Sequence, residues 1–302
     1  MQKTLSIQKI AQLTGHNGSI YALSRSSEPH LFLSGAGDSW IVEWNLKTPE
    51  NGNLLARVET QIFSLLYLLD YQKIVAGNMH GGLHWVTVRQ EGSRDVLQHQ
   101  KGVFGLQQIG AYLYSIGGGG KLIKWSIERE RTVESLQLSH QALRCIDYSP
   151  TRHELAVGSS DQTIYILDAT TLALKYQLPQ AHDNSVFCVR YHPFSNKLWS
   201  GGRDAILKVW DLMDKPTLAA EQNAHWYTIN DIAFSPSAQY AATASRDKTI
   251  KIWDTTTLEL LKVIDSIRDQ GHLNSVNTLL WSDYENMLVA GSDDRSLGVW
   301  RV

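Results

Sequence analysis

The chain has 302 residues, 19% charged and 43% hydrophobic, ordinary proportions that exclude wholesale disorder. A net charge of −2 disfavours a nonspecific nucleic-acid binder, because neutralising phosphates requires an excess of Lys and Arg. Two cysteines, Cys145 and Cys188, are too few for a disulfide framework and point to a cytoplasmic setting. No apolar run reaches signal-peptide or membrane-spanning length, so no membrane partner is expected.

Six of the ten tryptophans, Trp44, Trp85, Trp125, Trp210, Trp253 and Trp300, recur at gaps of 41, 40, 85, 43 and 47 residues. Leu167 divides the gap of 85 into 42 and 43, so seven units fill the chain and a single domain over residues 1–302 is expected. Each unit carries an apolar strand, a turn, a small-residue strand, a tight turn and an alternating strand that ends at the key aromatic. Four short strands per unit with regular turn signals predict an all-β fold.

In chain order, residues 5–13 alternate like a strand and precede Gly15-His16. Unit one runs from His16 through Asp38, six residues before Trp44. Units two and three end at Trp85 and Trp125, with Met79 and Gly119 where the Asp should be; unit two lacks a His near Thr60, and His99 precedes Trp125 by 26 residues. Unit four carries His140, Ser159, Asp161 and Leu167. Units five, six and seven pair His182 with Asp204, His225 with Asp247 and His272 with Asp294, each His standing 28 residues before its Trp. The sequence stops two residues after Trp300, so residues 5–13 are expected to supply the outer strand of unit seven and close a ring without an open sheet edge.

The Gly-His pairs Gly15-His16 and Gly271-His272, the Trp-Asp pairs Trp210-Asp211 and Trp253-Asp254, and the seven in-register copies resemble the WD-repeat family. The resemblance covers the whole chain and implies a seven-bladed β-propeller. It further implies a hydrogen-bonded tetrad of His, a strand Ser or Thr, the turn Asp and Trp in each blade. Unit six fits best, with His225, Ser245, Asp247 and Trp253. Unit five has Gly202 at the hydroxyl position, and the side chain of Leu167 in unit four has no N–H to donate.

Other motifs reduce to structure. Gly117-Gly118-Gly119-Gly120-Lys121 lacks the Ser or Thr after the Lys and the helix that a phosphate loop needs, so it reads as a turn. His80 and His84 share a strand face about 13 Å apart, with no third ligand, and make no metal pair. Cys145 and Cys188, each 22 residues before its key position, read as core residues. No catalytic residue, metal or cofactor is expected.

In propellers, the segments leading into the inner strands line one mouth of the central channel. By count, that position holds Tyr21, Phe63, Phe104, Arg144, Phe187, Asn230 and Asn277. The residues before the turn Asp share this face and include Arg203 and Arg246. Aromatic residues and Arg are enriched at binding hot spots. The sequence therefore reads as a noncatalytic scaffold or adaptor, a monomer on its own and a subunit of a larger complex, taking an acidic peptide or protein at this mouth. An enzyme acting at the mouth and a nucleic-acid-binding subunit stay open as alternatives.

Overall fold

The computed structural model describes residues 5–88 and 93–302. Strands of five to seven residues form seven four-stranded antiparallel sheets. Among the described residues the helical segments are two short 3-10 turns, Leu69–Tyr71 and Tyr284–Asn286. Blade six shows the pattern, with Ile229–Phe234 innermost, then Tyr240–Ser245, Ile250–Asp254 and Leu260–Ile264. The architecture is a seven-bladed propeller.

No blade buries its own apolar faces. Seven apolar clusters lie in the seven seams between neighbouring blades, and each draws residues from both. Trp44 and Phe32 of blade one meet Val289 and Val299 of blade seven, while Leu33 and Ile41, on the opposite face of the same strands, meet Ile62 and Ile74 of blade two. The small-residue strands follow from how closely the blades approach. A Cβ on Gly35 would stand 2.6 Å from Ile62 Cγ2, and one on Gly291 would stand 2.7 Å from Ile20 Cγ2.

The ring closes where the sequence placed it. Gln8–Leu13 pairs antiparallel with Leu297–Arg301, the third strand of blade seven, so the last sheet joins the two ends of the chain. The strand is shorter than residues 5–13; Leu5 and Ile7 instead pack beside the seam between blades six and seven.

Blade two corrects the count. The partner of Ile74 is Val86, just as the partner of Phe32 is Trp44. Val86 therefore holds the key position, and Trp85 points across the sheet into the seam with blade three. Adjacent strand residues face opposite ways, so a one-residue offset exchanges seams. Buried Trp85 Nε1 has no partner among the described residues. With Val86 as reference, Phe63 falls 23 residues before it, and His80, not Met79, takes the place of the turn Asp.

Deleting residues 1–13 should bare the backbone edge of Leu297–Arg301 and remove Leu13 from the seam between blades seven and one. The truncated chain is expected to melt several degrees lower and to aggregate in size-exclusion chromatography. A monodisperse product with an unchanged melting temperature would show that this strand does not hold the ring.

Candidate functional site

The turns that carry the site are fixed from beneath by polar networks. In blade six His225 Nδ1 lies 2.8 Å from Asp247 Oδ2, and His225 Nε2 lies 2.8 Å from Thr243 Oγ1, which also receives Trp253 Nε1 at 2.9 Å. Trp can only donate, so Thr243 accepts from Trp253 and gives its proton to Nε2, leaving Nδ1–H for Asp247. Burial opposes the charge on Asp247, but bonds from His225, Thr249 and the Trp226 N–H outweigh it and hold the carboxyl well below the usual carboxylate range.

Ser245 is not the hydroxyl of this network. It lies two residues along the strand from Thr243, donates to Tyr227 O at 3.1 Å and caps the Asp247 N–H at 3.0 Å. The bridging hydroxyl stands ten residues before the Trp, directly beneath the ring nitrogen. Ser34, Ser115 and Ser200 hold that position in blades one, three and five, at 2.8 Å from Trp44, Trp125 and Trp210. Gly202 therefore costs blade five nothing: His182 bonds Ser200 at 2.7 Å and Asp204 at 2.9 Å.

Blade four departs further. His140 is exposed; Ser139, 28 residues before Leu167, reaches Asp161, and Tyr165 OH donates to the same carboxylate at 2.8 Å. In blade two Asn78 Oδ1 takes the backbone N–H groups of His80 and Gly82 and Asn78 Nδ2 meets His84 Nε2 at 2.7 Å, so the His84 ring is engaged in the sheet while the His80 side chain is exposed. Blade three keeps His99 on Ser115 at 2.8 Å without an acid, and His99 Nδ1 has no partner among the described residues. At Gly120, φ is +77° and a Cβ would fall 1.9 Å from Ser139 O, so the glycine run is a turn pressed against the next loop.

The mouth is built by bulges. In every blade the register of the inner strand slips after its first residue, between Ile20 and Ala22, Ile62 and Ser64, Val103 and Gly105, Leu143 and Cys145, Val186 and Cys188, Ile229 and Asp231, and Val276 and Thr278. The residue skipped each time is Tyr21, Phe63, Phe104, Arg144, Phe187, Asn230 or Asn277. A bulge re-aims a side chain, and here it aims seven of them at the channel. All seven line a cavity of about 1030 Å³ that follows the inner strands.

Five of them stack in sequence around the rim. Tyr21 meets Phe63 edge-on at 5.1 Å, Phe63 meets Phe104 at 5.7 Å, and the Arg144 guanidinium lies 4.8 Å from the Phe104 ring centre and 5.3 Å from that of Phe187. Arg144 Nε donates to Ser160 Oγ at 2.9 Å, while its terminal nitrogens take no hydrogen bond among the described residues. Burial lowers the Arg144 pKa, and the charge of Arg203 adds to the effect. Asn230 and Asn277 do different work, donating across the seams to Val276 O at 2.8 Å and Ile20 O at 3.1 Å. Arg203 and Arg246 stand outside the channel, exposed on the turns, and make no ion pair among the described residues.

Counting from the mouth alone missed the charges deeper in the channel. Asp147 Oδ2 accepts the Tyr191 N–H at 2.7 Å, Arg190 donates to Ile232 O at 3.1 Å and Asp231 Oδ1 at 3.0 Å, and Asp231 Oδ2 accepts the Leu279 N–H at 2.9 Å. These side chains stitch blades four to seven together along the inner-strand edges. Their signal was a charged residue 20 positions before the key site in units four and five. Burial pushes the Cys145 thiol up to about 12 and Cys188 well above its ordinary value, so neither is an activated nucleophile. Among the described residues no group of three His, Cys, Asp or Glu gathers to hold a metal, and no helix is long and apolar enough to cross a membrane.

The repeat itself decides the family. A family model described as WD domain, G-beta repeat matches residues 7–45, 132–168, 174–211, 217–254 and 262–301. The chain belongs to the WD40 family. The matches omit blades two and three, the two without a turn Asp, so these WD40 repeats are legible where the His–Asp pair survives or only its His is lost. No curated protein matches the sequence. Among solved structures, the chain is similar to the WD40 β-propeller domain of Doa1, with a TM-score of 0.86 over 98% of this chain and 96% of that one at 16% identity. That likeness shows a shared fold. WD40 propellers are commonly protein-interaction scaffolds and generally noncatalytic.

Two predictions follow from the networks. Thr243→Val keeps the shape but strands His225 Nε2 and Trp253 Nε1, and should cost about 1–3 kcal/mol in chemical denaturation. Combined with His225→Ala its effect should be far from additive, because the two share one network; additive losses would contradict the assignment. Burial, reinforced by the charge of Lys121, holds His99 down at about 4, so folding keeps it neutral where an unfolded histidine near 6.5 takes a proton. Stability should be full above the unfolded value and decline as the pH falls towards 4, by up to about 3 kcal/mol from this group. Denaturation curves across that range should be shallower in pH for His99→Gln; equal slopes would place the acid loss elsewhere.

Proposed function

We propose that this WD40 propeller is a noncatalytic interaction platform that takes a protein or peptide segment at the Arg/aromatic mouth of its channel. The observation that carries this is the stack of Tyr21, Phe63, Phe104, Arg144 and Phe187, together with Arg203 and Arg246 on the turns of blades five and six, two exposed guanidinium groups with no ion pair among the described residues. The acids nearest them in sequence, Asp204 and Asp247, are engaged by His182 and His225. The free guanidinium edges suit carboxylates, which they bind bidentately, and so favour an acidic partner. On this reading Asn230 and Asn277 shape the mouth through their cross-seam bonds, and the stacked rings form its apolar floor. The chain acts as one domain, a monomer that joins a multi-protein assembly in the cytoplasm, in keeping with its two buried free thiols.

Charge reversal tests it. Arg203→Glu with Arg246→Glu should reduce recovery of specific partners from the source cell at least about tenfold, while the melting temperature stays nearly unchanged because both positions are exposed. Equal recovery of the same partners would move recognition to another face.

A further inference from the structure

The most exposed aromatic side chain among the described residues is Trp226, at 87% of its full accessible surface, and Tyr227 beside it is 61% exposed. Among the described residues the indole takes part in no hydrogen bond or ring contact. Its backbone, in contrast, is fixed. The Trp226 N–H donates to Asp247 Oδ2 at 3.1 Å, the preceding His225 N–H to Ala205 O at 3.2 Å, and Thr228 O accepts the Arg246 N–H at 3.0 Å. These bonds seat Trp226 between two turns, the Gly202–Ala205 turn that carries Arg203 and the Ser245–Lys248 turn that carries Arg246. In blades one, three and five the residue after the His is Asn17, Gln100 or Asp183, so an aromatic here is not required by the repeat.

We propose that Trp226 is the apolar anchor of a recognition site for an acidic peptide segment of a partner protein, with Arg203 and Arg246 on either side receiving its carboxylates. This rests on the reading of the chain as an interaction platform and names the chemistry of the partner. An exposed indole held on a rigid backbone loses little entropy on binding. Exposed Lys248 adds a third positive charge, and Asp183 is the acid exposed on the neighbouring loop. A segment with an aliphatic or aromatic side chain between acidic residues fits that arrangement. A nucleic acid could also stack on the indole, but a chain with a net charge of −2 lacks the excess of Lys and Arg that an extended phosphate backbone requires.

The test uses the whole chain and a random 12-residue peptide library displayed on phage. Enriched peptides are resynthesised and titrated against the protein, Trp226→Ala, Trp226→Phe and Arg144→Ala, with dT12 as a nucleic-acid probe. The expected result is enrichment of peptides with acidic residues flanking an apolar one. Their affinity should fall at least about tenfold in Trp226→Ala and persist largely in Trp226→Phe. Peptides without acidic residues, equal binding by Trp226→Ala, or no enrichment would overturn the proposal. Loss in Arg144→Ala with retention in Trp226→Ala would leave the mouth as platform and remove the Trp226 anchor. Tighter, Trp226-dependent binding of dT12 would replace the peptide with a nucleic acid.

Discussion

Every blade of this molecule has two apolar faces and can cover neither of them. Burial comes only from the neighbours, so stability resides in seven seams and depends on the ring being closed. The pairing of Gln8–Leu13 with Leu297–Arg301 ties the two ends of the chain into one sheet and presses Leu13 into the seam between blades seven and one. Small residues on the second strands let the blades approach until Gly35 meets Ile62 and Gly291 meets Ile20.

Closure alone does not hold the loops at the rim. That is the work of the His–Asp–hydroxyl–Trp networks, which in blades one, five and six join the entering loop, a turn and the key aromatic through buried bonds. Their partial loss is informative. Blade seven keeps His272 on Asp294 at 2.9 Å, but Ala290 replaces the hydroxyl and Trp300 turns to Asp269 O at 3.2 Å. Blade four dispenses with the histidine and lets Ser139 and Tyr165 satisfy Asp161. What is preserved is a satisfied turn carboxylate wherever one is present, because a buried charge without hydrogen bonds costs more than a neutral ring nitrogen such as His272 Nε2, which has no partner among the described residues.

The channel is asymmetric in a way that matters for recognition. The bulges of blades one to five present rings and Arg144, which stack on one another, whereas those of blades six and seven present amides that bond across seams. Below this rim the charged stitches of Asp147, Arg190 and Asp231 run along blades four to seven. Arg203 and Arg246, exposed and without an ion pair among the described residues, and the exposed Trp226 belong to blades five and six of this same sector. One sector of the disc thus carries both the Asp147, Arg190 and Asp231 stitches and these exposed recognition groups.

The sequence by itself determined the number of blades, the all-β class, the closing strand and the identity of the seven residues at the mouth. Each of these rests on spacing, and a repeat that must stack on its neighbours cannot vary its spacing much. The tertiary structure decided what spacing cannot encode. A one-residue offset placed Val86 rather than Trp85 at the key position of blade two, since alternation sends neighbours to opposite faces whatever their chemistry. Two hydroxyls two residues apart, Thr243 and Ser245, share a face, and only the position of the Trp253 ring nitrogen selects Thr243. His140 is one residue away from the position where Ser139 meets Asp161. The partners of Arg144, Asn230 and Asn277 lie on neighbouring strands and blades, beyond any local pattern, so their roles emerged only once the ring was closed.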